Sequence, residues 1–79
     1  MEKNNLKKFR ISMGLTITAL SRLSNVSAKV ISETERFIRN PTVVTKRKIL
    51  NGLNAARGPQ EKKLQFEEIF PDPPDAMDS

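Results

Sequence analysis

The tightest constraint in this chain is a bend of three residues. Asn25, Val26 and Ser27 separate two segments of about eight or nine residues that both read as helix. Thr16 opens the first, residues 17–24, as an N-cap, and Ser27 opens the second, residues 28–36. Asparagine tolerates a positive φ better than any residue except glycine, which suits Asn25 to the bend. Val26 plugs the turn between the two helices. So short a link keeps the helices from pairing side by side and makes them cross steeply. The second helix then stands out from the body with a free outer face. Ser27, Ala28, Lys29, Ser32, Glu33 and Arg36 make that face, with Val30 and Ile31 between them. A helix exposed in this way fits the major groove of B-DNA, about 12 Å across.

The rest of the chain supplies a body for that pair. Leu6, Phe9 and Met13 fall on one helical face and predict a helix over residues 4–13, stopped at Gly14 in the left-handed conformation. Leu20 and Leu23 are the expected inward residues of 17–24. Ile31 and the alkyl parts of Thr34 and Glu35 are those of 28–36. Residues 37–41 read as a loop, because Pro41 disfavours helix at Asn40. Thr42 caps a helix over 43–56 with Ile49, Leu50 and Leu53 inward, and Arg57, Gly58 and Pro59 end it. A short fifth helix is expected over 61–70, with Phe66, Ile69 and Phe70 inward. No alternating β-branched run and no Asn-Gly or Asp-Gly turn argues for a strand. The expected fold is all-α, a compact bundle of four to five helices over residues 1–70. Residues 71–79 form an acidic, proline-rich tail expected to be disordered.

Charge is divided along the chain. Residues 1–58 hold 12 Lys and Arg against 3 acids, a balance of +9. Residues 59–79 hold 2 Lys against 6 acids, a balance of −4, which brings the whole to +5. A basic body with an acidic end is the footprint of a polyanion binder. The inventory excludes much else. With no Cys and no His there is no disulfide, no zinc finger, and no Cys–His or Ser–His nucleophile system. No phosphate-binding loop is present. The expectation is a non-enzyme with no cofactor, no metal and no small-molecule substrate. Four Phe with no Tyr or Trp offer no stacking platform for RNA. No apolar run is long enough for a membrane span, and none follows Met1 to Asn5 as in a signal peptide. A cytoplasmic location without membrane contact is expected.

From Leu6 to Asn54 the residues resemble the Cro/CI-type helix-turn-helix family of the lambdoid phage repressors. The resemblance lies in Leu6 and Arg10 and in Gly14, Leu15 and Thr16. It continues through Leu20, Val26, Ser27, Ile31, Glu35 and Arg36, then Asn40, Pro41, Ile49, Leu53 and Asn54. Phe66 to Pro71 is similar to a common closing helix. The departures are Ser21 for the usual Ala, Asn25 for Gly, Ile17 where Gln often makes a phosphate contact, and Phe37 for the Gly that usually ends the third helix. The last of these predicts a differently built loop. The spacer over 55–64 is also longer than usual.

The resemblance implies a prokaryotic or phage-encoded transcriptional regulator, a repressor, that binds double-stranded operator DNA as a homodimer, which need form only on DNA. It implies a structural salt bridge between Arg10 and Glu35. The expected base contacts are Ala28 to a thymine methyl, Lys29 to guanine O6 or N7, Ser32 to several bases, and Glu33 to cytosine N4. The expected phosphate contacts are Thr16, Thr18, Ser27, Arg36, Arg39 and Asn40. Lys46, Arg47 and Lys48 read first as a solvated helix face. A second function stays open: a protein-interaction module of the same fold, such as an antitoxin or a phage regulatory partner, docking through the acidic tail and Phe66, Ile69 and Phe70.

Overall fold

The computed structural model describes residues 3–71. All regular structure among these residues is helical: α1 (Leu6–Ser12), α2 (Ile17–Ser24), α3 (Ala28–Glu35), α4 (Val43–Ala55) and α5 (Phe66–Ile69). Residues 72–79, the greater part of the expected acidic tail, lie outside the described residues.

Local chemistry starts three of these helices. The Thr16 hydroxyl accepts from the Ala19 N–H at 3.0 Å, Ser27 from Val30 at 3.2 Å and Thr42 from Thr45 at 3.3 Å. Each bond satisfies one of the N–H groups that a first turn leaves without a helical partner. Three helices also end on a left-handed residue, namely Gly14 (φ 72), Asn25 (φ 58) and Phe37 (φ 62). At the end of α3 the Phe37 N–H donates to the Thr34 carbonyl and the Ile38 N–H to the Glu33 carbonyl, both at 3.1 Å. That is the Schellman pattern, which normally places glycine where Phe37 stands.

Every helix sends at least one fully buried residue to a single core: Leu6, Leu20, Ile31, Ile49, Leu53 and Ile69. Val26 fills the bend between α2 and α3, and Leu64 and Phe70 close the base. The broadest helix contact is α2 against α4. There Ser24, buried and donating its hydroxyl to the Leu20 carbonyl at 2.7 Å, faces Gly52.

Several expectations need correction. Leu23 is 43% exposed, and the smaller Ser24 takes the inward place beside Leu20. Residues 61–65 are not helical, so the last helix is a single turn. Asn54 explains why: its side chain accepts from the Leu64 N–H at 2.7 Å and donates to the Leu64 carbonyl at 3.1 Å. A backbone tied to a side chain on both sides forms no helical bonds there. Phe37 does not give the end of α3 a different turn, because it adopts the left-handed conformation itself. Lys46 is not on a solvated face: it is buried, with its ammonium 5.5 Å from the centre of the Phe70 ring. Arg47 lies over Phe66 at 5.4 Å.

The start of the chain is tied to its end. Asn5 donates its backbone N–H to Ile69 and its side-chain amide to Glu68, both at 2.8 Å. Asn4 donates to the Thr34 carbonyl at 2.9 Å, which fixes the start of α1 against α3. Among the described residues no helix is long and apolar enough to cross a membrane.

Candidate nucleic-acid interface

The helix that carries the expected base contacts is divided sharply between its two faces. Ile31, Thr34 and Glu35 are buried beneath α3, whereas Ala28, Lys29 and Arg36 are exposed and Ser32 and Glu33 are half-buried. Thr34 avoids an unsatisfied hydroxyl by donating to the Val30 carbonyl at 2.7 Å. The division follows the sequence, since apolar or shielded groups recur at helical spacing on one side only.

Glu35 is a buried carboxylate and would be costly alone. Arg10 meets it from α1. Its Nε donates to one carboxylate oxygen at 2.6 Å and Nη2 to the other at 3.0 Å, while Nη1 donates to the Leu15 carbonyl at 2.8 Å. The fork thus engages α1, the 13–16 turn and α3 together. The hydrogen bond to Glu35 raises the Arg10 pKa against the opposing effect of burial. With side chains only 11% and 3% exposed, the pair belongs to the frame that orients α3.

The remaining expected contacts fall into two groups. Ser27, Arg39 and Asn40 come together in an open groove of about 360 Å³ between the start of α3 and the start of α4. Thr42, Thr45 and Lys48 line it as well, and none of these three was marked as a site by the sequence. Their signal was available only after folding, because the cap and first two turns of α4 bring them beside the start of α3. Thr16 and Thr18 are exposed at the start of α2, and Arg36 is exposed at the end of α3. These three do not line the groove.

One contact joins two residues expected to act separately. The Arg39 Nε donates to the Glu33 carboxylate at 2.8 Å. That bond is the main cause that holds the Glu33 carboxyl below its ordinary pKa, with smaller contributions from the charges of Arg39, Lys29 and Arg36 and a counteracting one from desolvation.

No protein family, curated protein or solved structure matches this chain. Chemistry has to be read from the site. Among the described residues no group of three or more Asp or Glu is gathered to hold a metal ion. The arrangement offers a helix face with the Ala28 methyl, Lys29, Arg36, the half-buried Ser32 hydroxyl and the paired Glu33 carboxylate, beside a groove where Arg39, Lys48 and hydroxyls alternate with Val26, Val30 and Pro41. Such a surface can take hydrogen bonds and charge from an extended polyanion.

Proposed function

We propose that this protein binds double-stranded DNA sequence-specifically and acts as a transcriptional regulator, a repressor, with α2 and α3 as a helix-turn-helix. The observation that carries the reading is the outer face of α3, where Ala28, Lys29 and Arg36 are exposed while Glu35 on the inner face is locked to the body by Arg10. In this reading the outer face of α3 enters the major groove, with Ala28 and Lys29 of its first turn and Ser32 one turn further on meeting base edges. Thr16 and Thr18 at the start of α2, with Arg36, Arg39, Ser27 and Asn40, take phosphates. The motif resemblance read from residues 6–54 is consistent with the same geometry, for which phage repressors are themselves the standard illustration. One helix reads few base pairs, so two copies on a two-fold operator follow, with half-sites about 34 Å apart.

The test is a binding-site selection from random duplex DNA. The wild type should enrich one motif, and Lys29→Ala should change it at the positions it contacts, at about 1–3 kcal/mol per lost base contact. Thr18→Ala and Arg36→Ala should weaken binding to all sequences alike. No enrichment, with no salt-dependent shift of any duplex, would remove the reading.

A second reading is a protein-interaction module; of the residues expected to dock it, Ile69 and Phe70 are buried in the core and residues 72–79 lie outside those described, so it draws instead on Ile38, Val43 and Val44, which are 57%, 58% and 66% exposed. Exposed aliphatic side chains in one stretch of chain favour a protein surface. The same selection separates the two readings, since an interaction module enriches no motif.

A further inference from the structure

Glu33 is the residue of the α3 outer face that a base-reading role explains least well. It is the sixth residue of an eight-residue helix, about 7–8 Å along the axis from Ala28. A recognition helix of this kind contacts bases with its N-terminal part. A carboxylate also repels the phosphates that flank a groove. Here that charge is already engaged, because Arg39 donates to it at 2.8 Å.

The asymmetry of the pair is informative. The Glu33 side chain is 22% exposed and the Arg39 side chain 46% exposed. The carboxylate is therefore the sheltered end and the guanidinium the outward end. Only Nε of Arg39 is used by Glu33, which leaves both Nη groups to donate elsewhere. The turn after α3 produces this geometry. Phe37 in the left-handed conformation reverses the chain, Ile38 donates to the Glu33 carbonyl, and Arg39 comes back alongside Glu33. Arg39 is also one of the residues that line the groove, with Ser27, Asn40, Thr42 and Lys48.

We propose that Glu33 is a positioning residue that holds Arg39 to grip one DNA phosphate, and that Glu33 reads no base. The proposal rests on the DNA-binding reading and sharpens it. An arginine fixed beforehand loses less side-chain freedom when it binds. The two Nη groups match two oxygens of one phosphate.

The experiment compares wild type, Glu33→Gln, Arg39→Met and the double variant on the duplex selected by the wild type, across a salt series. Glu33→Gln adds one net positive charge, so charge alone predicts tighter binding. Positioning predicts the opposite: weaker binding, and a salt slope shallower by up to about 0.9, the value of one phosphate contact. Arg39→Met should lose the same slope, the double variant should lose no more than Arg39→Met, and the selected motif should stay unchanged in all three. Tighter binding by Glu33→Gln with an unchanged slope would overturn the proposal. So would a changed base preference for the double variant relative to Arg39→Met. A carboxyl NMR titration of the free protein tests the pair without DNA. The Glu33 midpoint should rise in Arg39→Met, and a midpoint that does not move would refute positioning even if the wild type binds DNA. A midpoint that moves in a protein that binds no duplex would instead place the failure in the DNA-binding reading.

Discussion

Gly52 on α4 lies so close to Ser24 on α2 that an ideal Cβ on the glycine would fall 2.7 Å from the Ser24 Cβ and 2.9 Å from its backbone nitrogen. The two helices meet at a distance that only a hydrogen at position 52 allows. A serine on one side and a glycine on the other set how closely α2, and the bend that follows it, sit on the body.

Gly52→Ala should therefore destabilise the fold although alanine is the better helix former. Overpacking costs about 1–3 kcal/mol, against about 1 kcal/mol gained in helix propensity. Because part of the obstruction is backbone, no change of rotamer relieves it. A thermal melt should show a lower Tm for Gly52→Ala. An unchanged or raised Tm would mean that α4 moves away from α2 at no cost.

Arg10 and Glu35 should behave as a coupled pair. Arg10→Met leaves a buried carboxylate alone, and loss of one partner of a buried pair costs about 3–5 kcal/mol. In a double-mutant cycle with Glu35→Gln the coupling should be about 0.5–3 kcal/mol. Additive losses in denaturant unfolding would contradict the contact.

Phe37 carries a backbone conformation that side chains with a Cβ disfavour. Its ring is half-buried, so replacing it mixes lost packing with relieved strain. Comparing two truncations separates them. Phe37→Gly should be more stable than Phe37→Ala by about 1 kcal/mol, because only alanine keeps the left-handed penalty. Equal stability would mean that the turn relaxes when the ring is gone.

Asn54 should act on one segment more than on the whole. Asn54→Ala leaves the N–H and C=O of the buried Leu64 without partners, at about 1–3 kcal/mol per group. The Phe70 amide, bonded to Phe66 at 2.8 Å, should then exchange faster with solvent than the core amides of α2. Uniform acceleration across the chain would show that 64–70 opens only with global unfolding.

The parts of the fold that were legible in the sequence are those set by near neighbours. A cap needs only an oxygen three residues before an N–H, so Thr16, Ser27 and Thr42 were read where they act. Asn25 was read for the same reason, its conformation being a property of the residue itself. Leu23 was misread because periodicity does not say which of two adjacent rows faces the neighbouring helix; Gly52, 28 residues after Ser24, decides that. The segment 61–65 was misread because its bonds run to Asn54 rather than along the chain. At the candidate site, the exposure of Ala28 and Lys29 followed from α3 alone. The Glu33–Arg39 contact did not, since it depends on Phe37 taking the conformation of a glycine.

The bonds from Asn5 to Glu68 and Ile69 have a topological consequence. They bring the first helix and the last to one place, so the path of the chain is almost a closed ring. A permuted protein that joins residue 3 to residue 71 through a short flexible linker and opens elsewhere, at an exposed position such as Gln60, should keep the same core. Probes attached beside Asn5 and beside Glu68 would report from the same neighbourhood.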